Sequence, residues 1–139
     1  MSQTKKGIDR NYYNELTNDI IGAAIEVHKV LGPGLLESVY HACLVKELKD
    51  RNIYVEQNIN LPIHYKGERL NKEFVIDLIV EEEVVIELKS LESVLPVHEA
   101  QLLSYIRLAN KKIGLLINFN VQILKEGIKR KVNGDLNSV

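Results

Sequence analysis

Residues 74–105 read FVIDLIVEEEVVIELKSLESVLPVHEAQLLSY, and the organisation of the whole chain can be worked out from this stretch. Two short apolar runs flank three glutamates, a pattern typical of a β-hairpin with an acidic turn. Each run carries a carboxylate among its apolar residues, Asp77 in the first and Glu87 in the second. These two acids are the first candidates for a functional site. The alternative is an edge hairpin whose charged face lies in solvent.

The length of the turn decides whether Asp77 and Glu87 lie together. A three-residue loop places Asp77 directly opposite Glu87, with their Cβ atoms roughly 4.5–5.5 Å apart. A two-residue loop sends the two carboxylates to different faces of the sheet. Only the three-residue loop keeps the apolar residues of both strands together, so we predict that register. Strict alternation predicts two faces for the first strand, with Val75, Asp77 and Ile79 on one and Phe74, Ile76, Leu78 and Val80 on the other.

Two opposed carboxylates predict a cation between them, because like charges directly opposite each other repel. Carboxylate and water oxygens are the ligands that Mg²⁺ or Mn²⁺ prefers. Lys89 follows Glu87 on the same face, about 6–7 Å along the strand. An ammonium there could orient a water molecule or balance charge that builds up on a phosphate.

Composition indicates an ordinary globular protein of one domain. The chain has 139 residues, of which 45% are hydrophobic and 27% charged, and its net charge is −1. This charge argues against coating nucleic acid by bulk electrostatics, but not against local contact with phosphate. The single cysteine, Cys43, excludes an internal disulfide and fits a reducing compartment. We expect a cytoplasmic protein, since no apolar signal segment and no run of about 18 apolar residues are present.

The rest of the chain predicts an α/β domain built in the order of helices, a three-stranded meander, a helix and a strand. We expect helices over about 14–31, 35–51 and 97–110, and a long strand over 53–65 before the hairpin. The apolar run at 113–119 predicts a strand that is buried on both faces and parallel to the Glu87 strand. We expect residues 1–13 to be a flexible N-terminal segment, 14–132 the domain, and 133–139 a C-terminal tail.

Three further residues are candidates for the site. Glu37 lies in the first turn of the second helix, where the helix dipole favours a carboxylate; alternatively it joins Asp77 and Glu87 as a third acid. Gln101 and Tyr105 share one face of the third helix, which begins close behind the Glu87 strand. They could offer neutral hydrogen bonds to a phosphate or a base, or simply form a polar boundary.

Several ordered motifs resemble one protein family. The segment Gly34-Leu-Leu-Glu37-Ser-Val-Tyr40 resembles the GxxExxY signature of a widespread group of small bacterial and archaeal proteins. The segments at residues 21–28 (IGAAIEVH), 96–105 (PVHEAQLLSY) and 114–119 (GLLINF) are similar to that group as well. The resemblance covers nearly the whole chain, from about residue 14 to about residue 131. This group is placed in the PD-(D/E)XK nuclease-like superfamily, as a relative of RecB-type exonuclease domains.

The resemblance implies a PD-(D/E)XK nuclease-like core of αβββαβ type, a mixed sheet flanked by helices. It implies that Asp77 is the first acid of the superfamily and that Glu87-Leu-Lys89 is its (D/E)XK element. By the same resemblance, Glu37 matches the acid of the preceding helix, and Gln101 with Tyr105 matches the QxxxY element of the RecB-like branch.

Together these inferences predict a nuclease that depends on Mg²⁺ or Mn²⁺, acts on nucleic acid, with DNA as the expected substrate, and does not contact membranes. Asp77, Glu87 and Glu37 are the expected metal ligands, and Lys89 is the expected catalytic amine. A domain this small is expected to need a partner to hold a long substrate, which makes a homodimer one candidate assembly.

One departure from the family favours two alternatives. Many members carry an arginine two residues before the first acid, where this chain has Val75. A positive group that would help to hold phosphate is therefore absent. The alternatives are a module that binds nucleic acid without cutting it, and a protein-interaction module of the same fold.

Overall fold

The computed structural model describes residues 7–137, in which a five-stranded mixed sheet lies between helices on both faces. The helices are α1 (Arg10–Leu31), α2 (Glu37–Asp50) and α3 (Pro96–Leu108). The strands are β1 (Val55–Tyr65), β2 (Glu68–Val80), β3 (Val84–Lys89), β4 (Ile113–Asn118) and β5 (Ile128–Val132), and a 3₁₀ turn (Leu124–Gly127) precedes β5. The predicted α/β fold class is confirmed.

The strands lie in chain order in the sheet, from β1 to β5. The β3–β4 pair is parallel and the other pairs are antiparallel. Two neighbouring parallel strands need a long crossover connection, and α3 provides this connection between β3 and β4. The meander of β1, β2 and β3 and the parallel β4 are as the sequence predicts. None of the helices in this part of the chain has the length and hydropathy that crossing a membrane requires.

Two apolar clusters, one on each face of the sheet, form the core. The first packs the sheet against α1 and α2 and contains the fully buried Ile86 of β3. The second packs the sheet against α3 and contains Val85 of β3 and Leu116 of β4. Every residue of β4 is buried, which confirms the strand predicted to be covered on both faces. Neighbouring residues of β3 thus stabilise both faces of the sheet.

The N-terminal boundary differs from the prediction. Helix α1 begins at Arg10, not near residue 14, because the Asp9 carboxylate accepts a hydrogen bond from the Tyr12 amide (3.0 Å) and Tyr13 is already buried in the core. The predicted flexible segment 1–13 is therefore helical from Arg10 onward, and its residues 1–6 lie outside the described residues. Beyond residue 132, Leu136 packs in the first cluster; residues 138–139 also lie outside the description.

The acidic turn between β2 and β3 has the predicted length of three residues. Val80 pairs with Val84, and the Glu83 amide donates to the Val80 carbonyl (2.9 Å). Glu81 and Glu82 have φ values of 52° and 60°, the left-handed conformation that closes the turn. The predicted register is therefore the one that the structure has.

The β1–β2 hairpin changes faces halfway along, which strict alternation does not predict. Leu78 and Val80 pack in the first cluster, whereas Phe74 and Ile76 pack in the second, against α3. The prediction that these four side chains share one face is therefore wrong.

The change of face occurs where Asn58 of β1 lies opposite Asp77 of β2. Asn58 has a φ of 54°, so its backbone is left-handed within an otherwise extended strand. The pairing register is the same on both sides of this point, so the two strands rotate together rather than slip. We call residues 59–76, beyond this point, the distal hairpin.

Candidate active site

Asp77 and Glu87 lie together where the backbone pairing of β2 and β3 stops. The last pair in the ladder is Leu78 with Ile86. Beyond it, the Asp77 amide donates to Oε1 of Glu87 (3.2 Å), and the Leu88 amide donates to Oδ2 of Asp77 (2.8 Å). Each carboxylate therefore accepts a hydrogen bond from the backbone of the opposite strand, which holds the two acids side by side.

The side chain of Glu87 is buried beside the carboxylate of Asp77. Its residue is only 4% exposed. Burial, and then the charge of Asp77, raise the pKa of Glu87 to about 8, although the hydrogen bond from the Asp77 amide and the charge of Lys89 oppose the rise. This environment therefore favours the protonated form of Glu87, and a bound cation would favour the carboxylate.

Lys89, the last residue of β3, is half-buried and lies close enough to affect both neighbouring acids. Its charge lowers the pKa of Glu87 and of Glu37. Within residues 7–137 it forms no close ion pair with either carboxylate. The Lys89 amine is thus near both acids but is not paired with either of them.

The backbone around Lys89 is fixed from two sides. The Phe119 amide donates to the Lys89 carbonyl (2.9 Å). The buried Asn118 side chain accepts from the Leu91 amide (2.8 Å) and donates to the Leu91 carbonyl (2.9 Å). The Ser90 hydroxyl donates to the Leu35 carbonyl (2.6 Å), which ties this loop to the start of α2.

Tyr40 determines where Glu37 enters the site. Its ring is fully buried and stacks on Phe119, with the ring centroids 4.4 Å apart and the planes at 5°. Its hydroxyl donates to the Gly32 carbonyl (2.6 Å) and accepts from the Leu35 amide (3.1 Å). These contacts fix the loop before α2, so that Glu37 begins the helix beside the sheet.

Glu37 faces Asp77. Burial, and then the charge of Asp77, raise the pKa of Glu37, while Lys89 and His41 lower it. However, no three His, Cys, Asp or Glu side chains among residues 7–137 converge at the spacing of a metal site. The predicted metal ligands Asp77, Glu87 and Glu37 are therefore near one another, but they do not form a complete metal site. Their chemistry nevertheless fits a hard divalent ion, because the paired carboxylates of Asp77 and Glu87 supply the oxygen atoms that such an ion prefers.

Of the two candidates on α3, Tyr105 lies near enough to the acids for their charges to affect its pKa. Its ring is buried against Phe74, with the centroids 5.4 Å apart. Burial, and then the charges of Glu87 and Asp77, raise the pKa of Tyr105. Gln101 lies one turn earlier and is half-buried, and in the described part of the chain no hydrogen bond joins it to the carboxylates.

A polar cleft beside Glu37 was not predicted. Its volume is about 570 Å³, and it is lined by Glu37, Ser38 and His41 of α2 and by Gln57 and Asn58 of β1. His41 is four residues after Glu37 and therefore shares its helix face, a signal that could have identified it. Asn58 gave no such signal, because its position opposite Asp77 depends on strand pairing.

Comparison with known proteins identifies the superfamily. Neither the curated proteins nor the solved structures gave a significant match. The family model described as the PD-(D/E)XK nuclease superfamily matches residues 14–131, most of the chain. The observed architecture of residues 7–137, a five-stranded mixed sheet flanked by three helices, agrees with this match. The chain therefore belongs to the PD-(D/E)XK nuclease superfamily.

Proposed function

We propose that this domain hydrolyses phosphodiester bonds in nucleic acid, with DNA as its substrate and Mg²⁺ or Mn²⁺ as its cofactor. The observation that carries the proposal is the pairing of Asp77 with Glu87 at the end of the β2–β3 ladder, with Lys89 two residues further along. Membership of the superfamily supports a nuclease-like function.

In this proposal Asp77 and Glu87 hold the metal ion, and Glu37 completes or orients the ligand set. Asp77 and Glu87 each use one oxygen for a backbone hydrogen bond and have a second oxygen for the ion. The raised pKa of Glu87 supports this role, because a cation would offset the repulsion and burial that raise it. A bound divalent ion lowers the pKa of water and polarises a phosphoryl oxygen.

The other residues act on the water and the substrate. The Lys89 amine orients the attacking water and stabilises negative charge on the phosphate. The Tyr105 hydroxyl, whose pKa is raised by burial and by the two acids, can donate a hydrogen bond to the strand. Gln101, one turn earlier on α3, positions the strand with its neutral amide.

We further propose that the domain, over residues 14–132, belongs to the GxxExxY group and the RecB-like branch and acts as a homodimer. The structural role of Tyr40, which fixes the loop that leads to Glu37, supports the assignment to this group. Gly34, the first residue of the signature, has a φ of 95°, a conformation that favours glycine.

The test is a cleavage assay with Asp77→Ala and Lys89→Ala. Labelled single-stranded DNA, duplex DNA and RNA are incubated with Mg²⁺, Mn²⁺, Ca²⁺ or EDTA. We expect each variant to lose about 10²–10⁴-fold in rate.

Calorimetry should show Mg²⁺ binding to the native chain and not to Asp77→Ala. The exposed Asp19→Ala and Lys125→Ala are matched controls, expected to cleave normally. Cleavage that persists in EDTA, or in both site variants, would remove these roles.

A second candidate function is a module that binds nucleic acid without cutting it. Two observations favour it: the paired carboxylates are hydrogen-bonded to backbone amides, and no three acidic, His or Cys side chains converge within residues 7–137. Val75 also places no positive charge beside Asp77. DNA binding with no metal uptake and no cleavage in any divalent ion would support this candidate.

A further inference from the structure

We propose that the cleft formed by Glu37, Ser38, His41, Gln57 and Asn58, here called the α2–β1 cleft, binds one nucleotide of the substrate strand next to the bond that is cleaved. This inference rests on the proposed function for its substrate class, nucleic acid. It adds a binding subsite and three residues, His41, Gln57 and Asn58, to those discussed above.

Two residues that line the cleft, Glu37 and Asn58, lie near Asp77. Glu37 is close enough to Asp77 for the charge of Asp77 to contribute to the raised pKa of Glu37. Asn58 also lies opposite Asp77, where the β1–β2 hairpin changes faces. A strand whose phosphate lies at Asp77 therefore has this cleft directly beside it.

The size and lining of the cleft suit a nucleotide. Its volume of about 570 Å³ lies within the range of roughly 300–1,000 Å³ for small-molecule sites. The side chains supply a hydroxyl, an imidazole and two amides, the groups that pair with phosphate oxygens and with base edges. Apart from Glu37, which belongs to the proposed metal ligands, the lining carries no carboxylate that would repel a phosphate.

A hydrogen bond between α2 and β1 holds the cleft in shape. Nε2 of His41 lies 3.2 Å from Oε1 of Gln57. An amide oxygen only accepts, so the imidazole donates through Nε2. The contact leaves the two N–H donors of the Gln57 amide for a ligand. His41 thus has a positioning role as well as a place in the lining.

The lining also predicts how binding responds to salt. Phosphate contacts made by Lys or Arg release counterions and make affinity strongly dependent on salt. The contacts offered by Ser38, Gln57 and Asn58 are neutral. Removing one of them should weaken binding by a similar factor at every salt concentration, without changing the salt slope.

The experiment measures binding of a short labelled single-stranded oligonucleotide to the full chain in EDTA, by fluorescence anisotropy over a salt series. The variants are His41→Ala, Gln57→Ala and Asn58→Gly, the last of which keeps the left-handed backbone. We expect each to weaken binding about fivefold, as for the loss of one hydrogen bond, and we expect Gln57→Ala and Asn58→Gly to leave the salt slope unchanged. A free mononucleotide should bind much more weakly, because it lacks the contacts that a longer strand makes at Lys89 and α3.

Two control variants match the chemistry away from the cleft. His64→Ala removes an exposed histidine of the distal hairpin, and Asn52→Gly changes an asparagine with a φ of 60° at the opposite end of α2. Both should bind like the native chain. Gln57 is exposed, so its variant should remain folded even if His41→Ala does not. Thermal unfolding of each variant checks this.

The inference is overturned if the folded cleft variants bind like the native chain, if the controls lose as much affinity, or if the native chain binds no oligonucleotide. A mononucleotide that binds as tightly as the oligonucleotide would overturn the assignment to a strand. Failure of the proposed function looks different. In that case the native chain binds through the cleft but cleaves nothing in any divalent ion.

Discussion

The strand β3 and the distal hairpin belong to the same sheet, but β3 is buried and the distal hairpin is largely exposed. β3 lies between β2 and β4, and five of its six residues are buried. The distal hairpin is largely exposed, and Tyr65 near its tip is 61% exposed. β3 pairs with β2 only at residues 78–80, so the rest of the hairpin projects past it. The candidate active site lies at the boundary between these two regions.

This position explains why two acids ten residues apart along the chain differ in environment. Glu87 belongs to β3 and is almost completely buried with it, whereas Asp77 is half-buried at the base of the distal hairpin. The buried strand supplies a carboxylate with a raised pKa and a rigid support. The boundary supplies access for a substrate. A site made from both regions therefore combines a buried acid of raised pKa with a surface that a substrate can reach.

The largest expected effect compares stability in the two regions. Ile86→Ala should lower the free energy of unfolding by about 2–5 kcal/mol, because it leaves a cavity in a fully buried strand. Val75→Ala, at a residue of the distal hairpin that is 47% exposed, should change it by less than about 0.5 kcal/mol. Urea unfolding measures both. Equal losses would show that Val75 is packed as tightly as a core residue.

The second prediction concerns pH. The pKa of Glu87 is raised from 4.5 to about 8, first by burial and then by Asp77. Between these values the folded chain binds more protons than the unfolded chain, so the free energy of unfolding should fall as the pH rises from about 4.5 to about 8, and then level off. We expect a fall of about 1 kcal/mol or more, measured by urea unfolding across this range.

The matched variants for this prediction are Glu87→Gln, which should lose the pH dependence, and Glu82→Gln in the exposed turn, which should keep it. Mg²⁺ should stabilise the native chain more at the alkaline end, because the metal binds deprotonated carboxylates. A Glu87→Gln variant with the native pH profile would show that another group titrates.

The smallest expected effect is a gain of affinity at the base of the distal hairpin. Val75→Arg places a positive charge two residues before Asp77 on an exposed position, so stability should change little. Binding of the labelled oligonucleotide should tighten, and the slope of log affinity against log salt should become steeper by about 0.7, as for one added phosphate contact. Val75→Ala is the control. An unchanged slope would place the substrate away from this strand.

Much of the fold and part of the site follow from local patterns. The period of the apolar residues predicts the three helices, and the continuous apolar run predicts the buried β4. The turn length was predictable because only one register keeps the apolar residues of β2 and β3 together. The same argument places Asp77 opposite Glu87, and it is independent of any resemblance.

Other features were not predictable from these patterns. The change of face at Asn58 and Asp77 cannot be predicted from the alternation of apolar and polar residues. Both strands rotate together there, and the pairing register on the two sides is the same. The start of α1 was misplaced because the capping by Asp9 and the burial of Tyr13 extend the helix into a segment of polar composition. The α2–β1 cleft was missed because it forms between a helix and a strand.

The sequence by itself therefore determined the class of fold and the strand register, and it indicated which acids and which lysine we propose for the site, because periodicity and turn length are local properties of the chain. Only the tertiary structure decided how Tyr40 and Asn118 position Glu37 and Lys89, how strongly burial shifts the pKa of Glu87, and that a polar cleft opens beside the acids. These depend on distances between elements far apart in sequence, which burial and side-chain packing set.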